Sequence, residues 1–523
     1  MICRTIEELG SPHPQQVLII GGGTVGIYLA VELAKAGRHV LMVEAGNEQL
    51  DNFPEDSFES VGRPHATIKI GRSRSLGGTS NLWGGQLVEY QPVDFEGRDW
   101  LPHSKWPIGA SEAAKYYCET YENLGMPVKF LEDAKVFGHL KTSVPSLPGG
   151  LEFFLTRWMR LPSLAATYRA QLEQSPRIKV LLNHTVTAID GEGSRVSGVR
   201  VADVHGRRHA LGGSEIVLAA GTFENVRLMF HAGASADWNC PWRDNANLGR
   251  FFQDHLSGRV GSVQTLDRRR FLDLFTTIVI GGFRFLPKLR MTDAALRRER
   301  MLNIHGMMVC ESSISENMVF LRQFMKSVIY GRKVTNLGEL LRNMAACGKH
   351  LPPLMWRYIV ANRVFVPSGS KISLQIQAEQ CPLPESRITV DPSRADRLGL
   401  PKLVLDWRIG EEEFSSIREF SLRVREAMRE AGLAEVKLIP GLEEGDASLL
   451  ERMHDHNHHA GGTCMGLSAT DGVVDTDLRV FGTDNMYVLG ASVFRTTSNA
   501  NTTFLALALA TRLGRKLARE KNL

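Results

Sequence analysis

The sequence predicts an α/β protein in which a doubly wound, mostly parallel sheet carries an inserted second domain built on an antiparallel sheet. Three stretches predict it. Residues 17–46, VLIIGGGTVGIYLAVELAKAGRHVLMVEAG, read as apolar strand, glycine turn, helix and second strand. Residues 214–233, SEIVLAAGTFENVRLMFHAG, repeat that style with Ala219, Ala220 and Gly221 in the turn, so they belong in the same sheet. The middle, about 256–449, instead alternates apolar and polar residues, as in SLQIQAEQ (373–380), RITVD and KLVLDWRI, the pattern of a half-buried antiparallel sheet. At 523 residues the chain exceeds what one core usually serves, so two domains are expected.

Taken in order, the opening unit places Gly21, Gly23 and Gly26 between the first strand and helix, where a backbone without side chains can approach a pyrophosphate at the helix N-terminus. Glu44 ends the second strand and is placed to accept from a ribose hydroxyl, which completes a Rossmann-like dinucleotide signature. RSRSLGGTSNLWGGQL (72–87) offers a backbone-donating surface for phosphates or a flat ring. Residues 101–160 are mixed, with Trp100, Trp106 and Trp158 expected in loops or short helices, and 161–174 read as a helix. RIKVLLNHTVTAI reads as a strand pair with VSGVRVAD. The segment 324–366 interleaves bases with bulky apolar residues; a covering helix pair over the antiparallel sheet is the favoured reading, a membrane-surface or partner-docking element the alternative. Near the C-terminus, HNHHAGGTCMG (456–466) and NANTTFLALALA (499–510) set His458, His459 and Asn501 in polar loops on either side of the strand in FGTDNMYVLGAS. The expected division is 1–100, 160–255 and 450–523 for the nucleotide-binding domain, and 101–159 and 256–449 for the substrate domain.

Composition excludes several classes of function. A net charge of +5 with dispersed Lys and Arg gives no footprint for nucleic acid. Seven scattered cysteines without CxxC spacing suit reduced thiols, and no apolar run approaches the ~20 residues of a membrane span, so a cytoplasmic protein is expected. The histidines at 454, 456, 458 and 459 lack a Cys or carboxylate set at ligand spacing, and no metal is expected. Asp254 and His255 read as structural hydrogen-bonding residues, while Glu379, Gln380 and Arg387 read equally as cavity-facing or as a polar cluster at a strand end.

GGGTVG with Glu44, LGGTSNLWGG, AAGTFEN, NLGRFFQDH (247–255), HHAGGTCMG and NMYVLGASVF…NANTTFLALALA together resemble the glucose-methanol-choline (GMC) oxidoreductases. The resemblance implies an FAD-dependent alcohol or sugar oxidase or dehydrogenase that passes hydride from a CH–OH carbon to flavin N5. It implies that Gly21, Gly23 and Gly26 line the pyrophosphate, Glu44 the ribose and Val186 the adenine through its backbone. Gly77, Gly78, Ser80 and Asn81 would pack about the flavin, with Ala220 from the second turn, and Gly490, Ala491 and Ser492 would close the site, although the family usually carries an acid at the position of Gly490. Leu82 stands where some members attach flavin through a histidine, so non-covalent FAD is implied.

Such chemistry needs a base for the hydroxyl proton and a polar group that fixes the same oxygen. His458 fits the first role, with His459 the alternative, and Asn501 fits the second. The expected partners are a small alcohol or carbohydrate, and oxygen, a quinone or a redox partner as electron acceptor. A flavoprotein lyase or decarboxylase on the same scaffold and a flavin subunit of an electron-transfer complex are the alternatives.

Overall fold

The computed structural model describes residues 1–51, 57–235, 237–311 and 351–519, with isolated positions 338, 342, 343, 345 and 348. Among these, a parallel sheet is formed by β1 (Ile2–Cys3), β2 (Val17–Ile20), β3 (Val40–Val43), β4 (Ile178–Leu181), β5 (Glu215–Leu218) and β6 (Met486–Val488), in the order β1-β4-β3-β2-β5-β6. Every residue of β2 and β3 is buried, which is why these strands are apolar throughout and do not alternate: both faces of the sheet are covered. The helices that matter for the site are α1 (Thr24–Lys35), α2 (Ala110–Asn123), α3 (Thr222–Gly233) and α4 (Thr502–Arg519). α4 presents Leu505, Leu509 and Leu513 to the interior, a four-residue spacing that aligns one face. Inside this layer Thr511 is held by Tyr28 Oη at 2.9 Å and by Thr120 Oγ1 at 2.8 Å, and Tyr117 stacks on Phe504.

The second sheet is antiparallel. Its strands run Ala434–Leu438, Leu256–Thr265, Lys371–Ala378, Ile304–Glu311, Phe283–Met291, Leu151–Trp158 and Gln86–Leu87, with Ile278–Ile280 beside Phe283–Met291. One face is covered by the helix Glu412–Glu430, whose Ile417, Phe420, Val424 and Met428 form a buried stripe. From the strands come Lys288, His305 and Gln377, buried and polar, and these bond to each other or to the C-terminal loop at Asn499. The expected α/β fold with a separate antiparallel sheet is thus what the chain adopts.

Several elements differ from expectation. RIKVLLNHTVTAI is two strands in two sheets: β4 joins the parallel sheet, and only Thr185–Glu192 pairs with Arg195–Ala202. Between them Asn183 takes φ +61°, a left-handed turn that an asparagine tolerates and that redirects the chain. Trp158 ends a strand and is not in a loop or short helix. RITVD and KLVLDW leave the main antiparallel sheet to form a small one with Phe58–Ser60. α2, assigned to the substrate domain, packs on α4 of the nucleotide-binding layer, because Tyr117 and Tyr121 find Phe504 there. The helix pair expected at 324–366 lies mostly outside the described residues; its described end is a helix, Leu351–Ile359, with Met355, Trp356 and Tyr358 exposed. No described helix is long and apolar enough to cross a membrane.

Candidate active site

A cavity of about 540 Å³ opens along the C-terminal ends of the parallel strands, a size usual for cofactor sites. Its floor is the first glycine turn. Gly21 has φ +108°, and a Cβ there would lie 2.5 Å from Ala219 O; a Cβ on Gly26 would lie 2.0 Å from Gly21 O. Only glycine permits this approach, and it leaves the N-terminal N–H groups of α1, preceded by Gly23, at the cavity wall. Gly77 N donates to Gly22 O at 2.8 Å, and a Cβ on Gly78 would meet Gly23 Cα at 2.9 Å, so the LGGTS segment is drawn against the turn. Glu44 accepts from Gly22 N and Gly46 N at 2.8 Å each and still borders the cavity; burial pushes its carboxyl up. Val186, Ala220, Gly490 and Ala491 also line it, His459 and not His458 borders it from the histidine loop, and Thr502 and Thr503 bring the first turn of α4 to its far end. The glycine cradle, two helix N-termini and an acid at the cavity border fit an FAD.

Not every expected cofactor contact is made by a side chain. Ser80 Oγ donates to Gly77 O and accepts from Leu164 N. Asn81 donates to Ser75 Oγ and Leu76 O and accepts from Ser163 Oγ, and Ser492 Oγ accepts from Asn225 Nδ2. These three side chains tie chain segments together and do not border the cavity. Arg72 and Arg74, in the same block, do border the cavity and were missed. Their proximity to the glycines in RSRSLGG was the available signal.

The histidine loop is zipped to the segment 253–257 at both ends, by Gln253 with Ala460 and by Ser257 with His454, each pair exchanging two backbone bonds. At its centre lies Asp254, fully buried. Its carboxylate accepts from the backbone N–H groups of His255 (2.7 Å), His458 (2.9 Å) and His456 (3.3 Å), and from His65 Nε2 (3.1 Å). Burial alone would raise this carboxyl, but the His65 hydrogen bond and the surrounding imidazoles hold it well below the usual carboxylate range. His458 sets Nδ1 2.8 Å from His255 Nδ1, while His255 Nε2 lies 2.8 Å from Ser498 O. His459 turns the other way: Nε2 meets Thr67 Oγ1 at 3.0 Å and its ring packs on Phe223. Asn501 lies immediately before α4, and its Oδ1 is buried without a hydrogen-bond partner. The Oδ1 of Asn499 is in the same condition, although its Nδ2 donates to Asn303 Oδ1 at 2.8 Å.

Burial keeps these rings neutral. It pushes His458 well below the ordinary imidazole value, reinforced by His255 and His456, and pushes His255 to about 4 and His459 to about 3. The unfolded chain binds protons from about pH 6.5 downward while these folded-state rings do not, so stability is lost as the pH falls from about 6.5 towards 4. Thermal melts at pH 7.5 and pH 5 should therefore show a clearly lower midpoint at pH 5. Equal midpoints would contradict the neutral cluster.

The even reading of Glu379, Gln380 and Arg387 resolves towards a polar cluster. Glu379 pairs with Arg98 through two bonds of 2.6 and 2.7 Å, Gln380 accepts from Asp254 N and Trp407 Nε1, and Arg387 begins a strand as an exposed residue. The four clustered histidines do not converge as a set. Ligand-capable atoms approach instead in the groups His65, Asp254, His459 and Asp254, His255, His458, in which the mutual hydrogen bonds already described engage the rings.

Residues 382–510 match the sequence pattern of the family described as GMC oxidoreductase, and residues 16–239 that described as FAD dependent oxidoreductase. The chain is similar to the fructose dehydrogenase large subunit of Gluconobacter japonicus, 21% identical over 95% of this chain and 96% of that protein. It is also similar to 6'''-hydroxyparomomycin C oxidase of Streptomyces lividus, 22% identical over 96% of this chain and 91% of that one. Among solved structures the fold is similar to pyridoxine 4-oxidase from Mesorbium loti, with a TM-score of 0.57 and 19% identity over 96% of this chain and 99% of that one. A fungal aryl-alcohol oxidase gives a TM-score of 0.56 and 13% identity over 98% and 100%.

Proposed function

The chain belongs to the glucose-methanol-choline oxidoreductases and is an FAD-dependent oxidoreductase, and from that premise we propose that it oxidises a CH–OH group of a sugar, glycoside or other polyol-like alcohol, with His458 taking the hydroxyl proton. The observations that carry this reading are a buried, neutral His458 bonded at Nδ1 only and the buried Asn501 Oδ1 left without a partner just before α4. Bound FAD supplies the acceptor for the two electrons that leave the carbinol carbon. Everything else falls to the chain. Breaking the C–H bond leaves a protonated carbonyl unless the O–H proton departs too, and His458 Nε2 is the nitrogen able to receive it. Asn501 cannot act as a base, but its amide can fix the alcohol oxygen and so aim the C–H bond. His459, tied to Thr67, holds the loop.

The names of two relatives, fructose dehydrogenase large subunit and 2-methyl-1,2-propanediol dehydrogenase, support a substrate with several hydroxyls. The first name also supports a redox partner as electron acceptor, with oxygen or a quinone as the other choices. In this reading the antiparallel sheet with Lys288, His305 and Gln377 forms the substrate side and the parallel sheet the FAD side. The function is tested by mixing the protein anaerobically with a panel of sugars, glycosides and simple alcohols. Bleaching of the flavin by a hydroxylated substrate is expected; an unbleached flavin across the panel would favour a lyase-type reaction.

Asn501→Asp is expected to slow reduction and to move its acid limb towards higher pH by about one unit, because a carboxylate beside the ring favours imidazolium. The pH profile of anaerobic reduction checks this. An unmoved profile at the parental rate would place Asn501 away from the reacting oxygen.

A further inference from the structure

We propose that His255 is a positioning residue that sets the tautomer of His458, leaving His458 Nε2 bare for a substrate proton. The argument begins at a carbonyl. Ser498 O can only accept a hydrogen bond, so the ring nitrogen 2.8 Å from it, His255 Nε2, must carry a hydrogen. A neutral His255 has no second ring hydrogen, so its Nδ1 is a bare acceptor. Burial, which holds this ring at about 4, ensures that neutrality near pH 7. His458 Nδ1 lies 2.8 Å from that bare nitrogen, and two bare nitrogens do not bond; His458 therefore carries its single hydrogen on Nδ1. Its Nε2 keeps the lone pair and makes no hydrogen bond among the described residues.

The carbonyl at the head of this relay is itself fixed. Ser498 takes φ +57°, uncommon for a residue with a side chain, and is held there by Oγ donating to Asp94 Oδ2 at 2.5 Å and by N donating to Glu379 Oε1 at 3.3 Å. Arg98 clamps Glu379 through both carboxylate oxygens. The buried Asp94–Arg98–Glu379 group thereby acquires a purpose: it orients the Ser498 peptide. The other end of His255 is fixed by its backbone N–H to Asp254.

The inference rests on the reading of His458 as the proton acceptor, but its test is independent of turnover. Ring ¹⁵N spectra are recorded on the histidine-labelled, FAD-bound protein, with His458 assigned by the signals lost in His458→Ala. The parent should show His458 protonated at Nδ1 and bare at Nε2. His255→Asn, whose Oδ1 falls near the place of Nδ1, should preserve that pattern. His255→Gln, whose amide reaches towards Ser498 O but leaves no acceptor near the place of Nδ1, should shift His458 towards the Nε2–H form. It should also slow flavin reduction by about 100- to 10,000-fold, the range for a base disabled by the wrong tautomer. An Nε2–H pattern in the parent overturns the proposal, even if the glutamine variant fails to fold, and so does an unchanged pattern in a folded glutamine variant. If the tautomers behave as expected while His458→Ala reduces its flavin at the parental rate, the relay stands and the base assignment fails.

Discussion

His458→Ala is expected to yield a yellow protein whose flavin is reduced about 100- to 10,000-fold more slowly than the parent's, the usual loss on removing a positioned base. The cofactor should stay because the contacts that fit it lie elsewhere, in the turn at Gly21 and Gly23, at Glu44, at Gly78 and at Gly490 and Ala491. Removing the imidazole takes away a neutral ring whose Nδ1 is engaged by His255 and whose Nε2 is left unbonded. His459→Ala removes something different, a bond to Thr67 and packing on Phe223, so its effect should fall on stability more than on rate. Rapid-mixing measurements with one good substrate compare the two variants. The opposite order, with the His458 variant near normal, would move the base to His459.

Asp254→Ala should cost about 3–5 kcal/mol of folding stability, the scale for removing a buried, hydrogen-bonded charge. Its carboxylate satisfies three backbone N–H groups of two chain segments some 200 residues apart and the ring of His65, and alanine would orphan them all. Asp254→Asn keeps an acceptor for some of these groups and should lie between. The pH dependence separates this contribution from that of the imidazoles. A carboxyl held low in the folded state contributes fully above its unfolded value of about 3.9 and fades only as the pH falls towards the folded value. Between pH 7 and 5 the Asp254 contribution is therefore constant, and stability lost there belongs to the buried histidines. Urea midpoints of the parent and both variants at pH 7 provide the check; an alanine variant within 1 kcal/mol of the parent would remove Asp254 from the centre of the site.

The parts of this molecule that were legible in its sequence are those whose physics is local. Gly21, Gly23 and Gly26 fall at a fixed spacing because a strand, a turn and a helix must pass close to a phosphate, and Glu44 ends the strand that follows. Spacing says nothing about which way a side chain turns, however. Ser80 and Asn81 stand beside true cavity residues yet face into their own loop, and Ser492 turns to Asn225 on α3. The strand reading at 177–189 failed at one backbone angle, that of Asn183, which no hydrophobic pattern encodes. The least legible feature is the polar chain behind the histidine loop. His255 and His458 are separated by 203 positions, and Asp94, Arg98, Glu379 and Ser498 come from three further regions, so only the packing of the two sheets brings them together.

The most direct measurement of the central claim is the pH profile of anaerobic flavin reduction in the parent and in His458→Ala with the same substrate. A base whose ring is held below the ordinary imidazole value is unprotonated at and beneath pH 6.5, so the parental rate should stay level down to that pH and decline only further into acid. The variant should run far below it and lack that decline. Parallel profiles of equal height in the two proteins would contradict the assignment of His458 as the group that takes the substrate's proton.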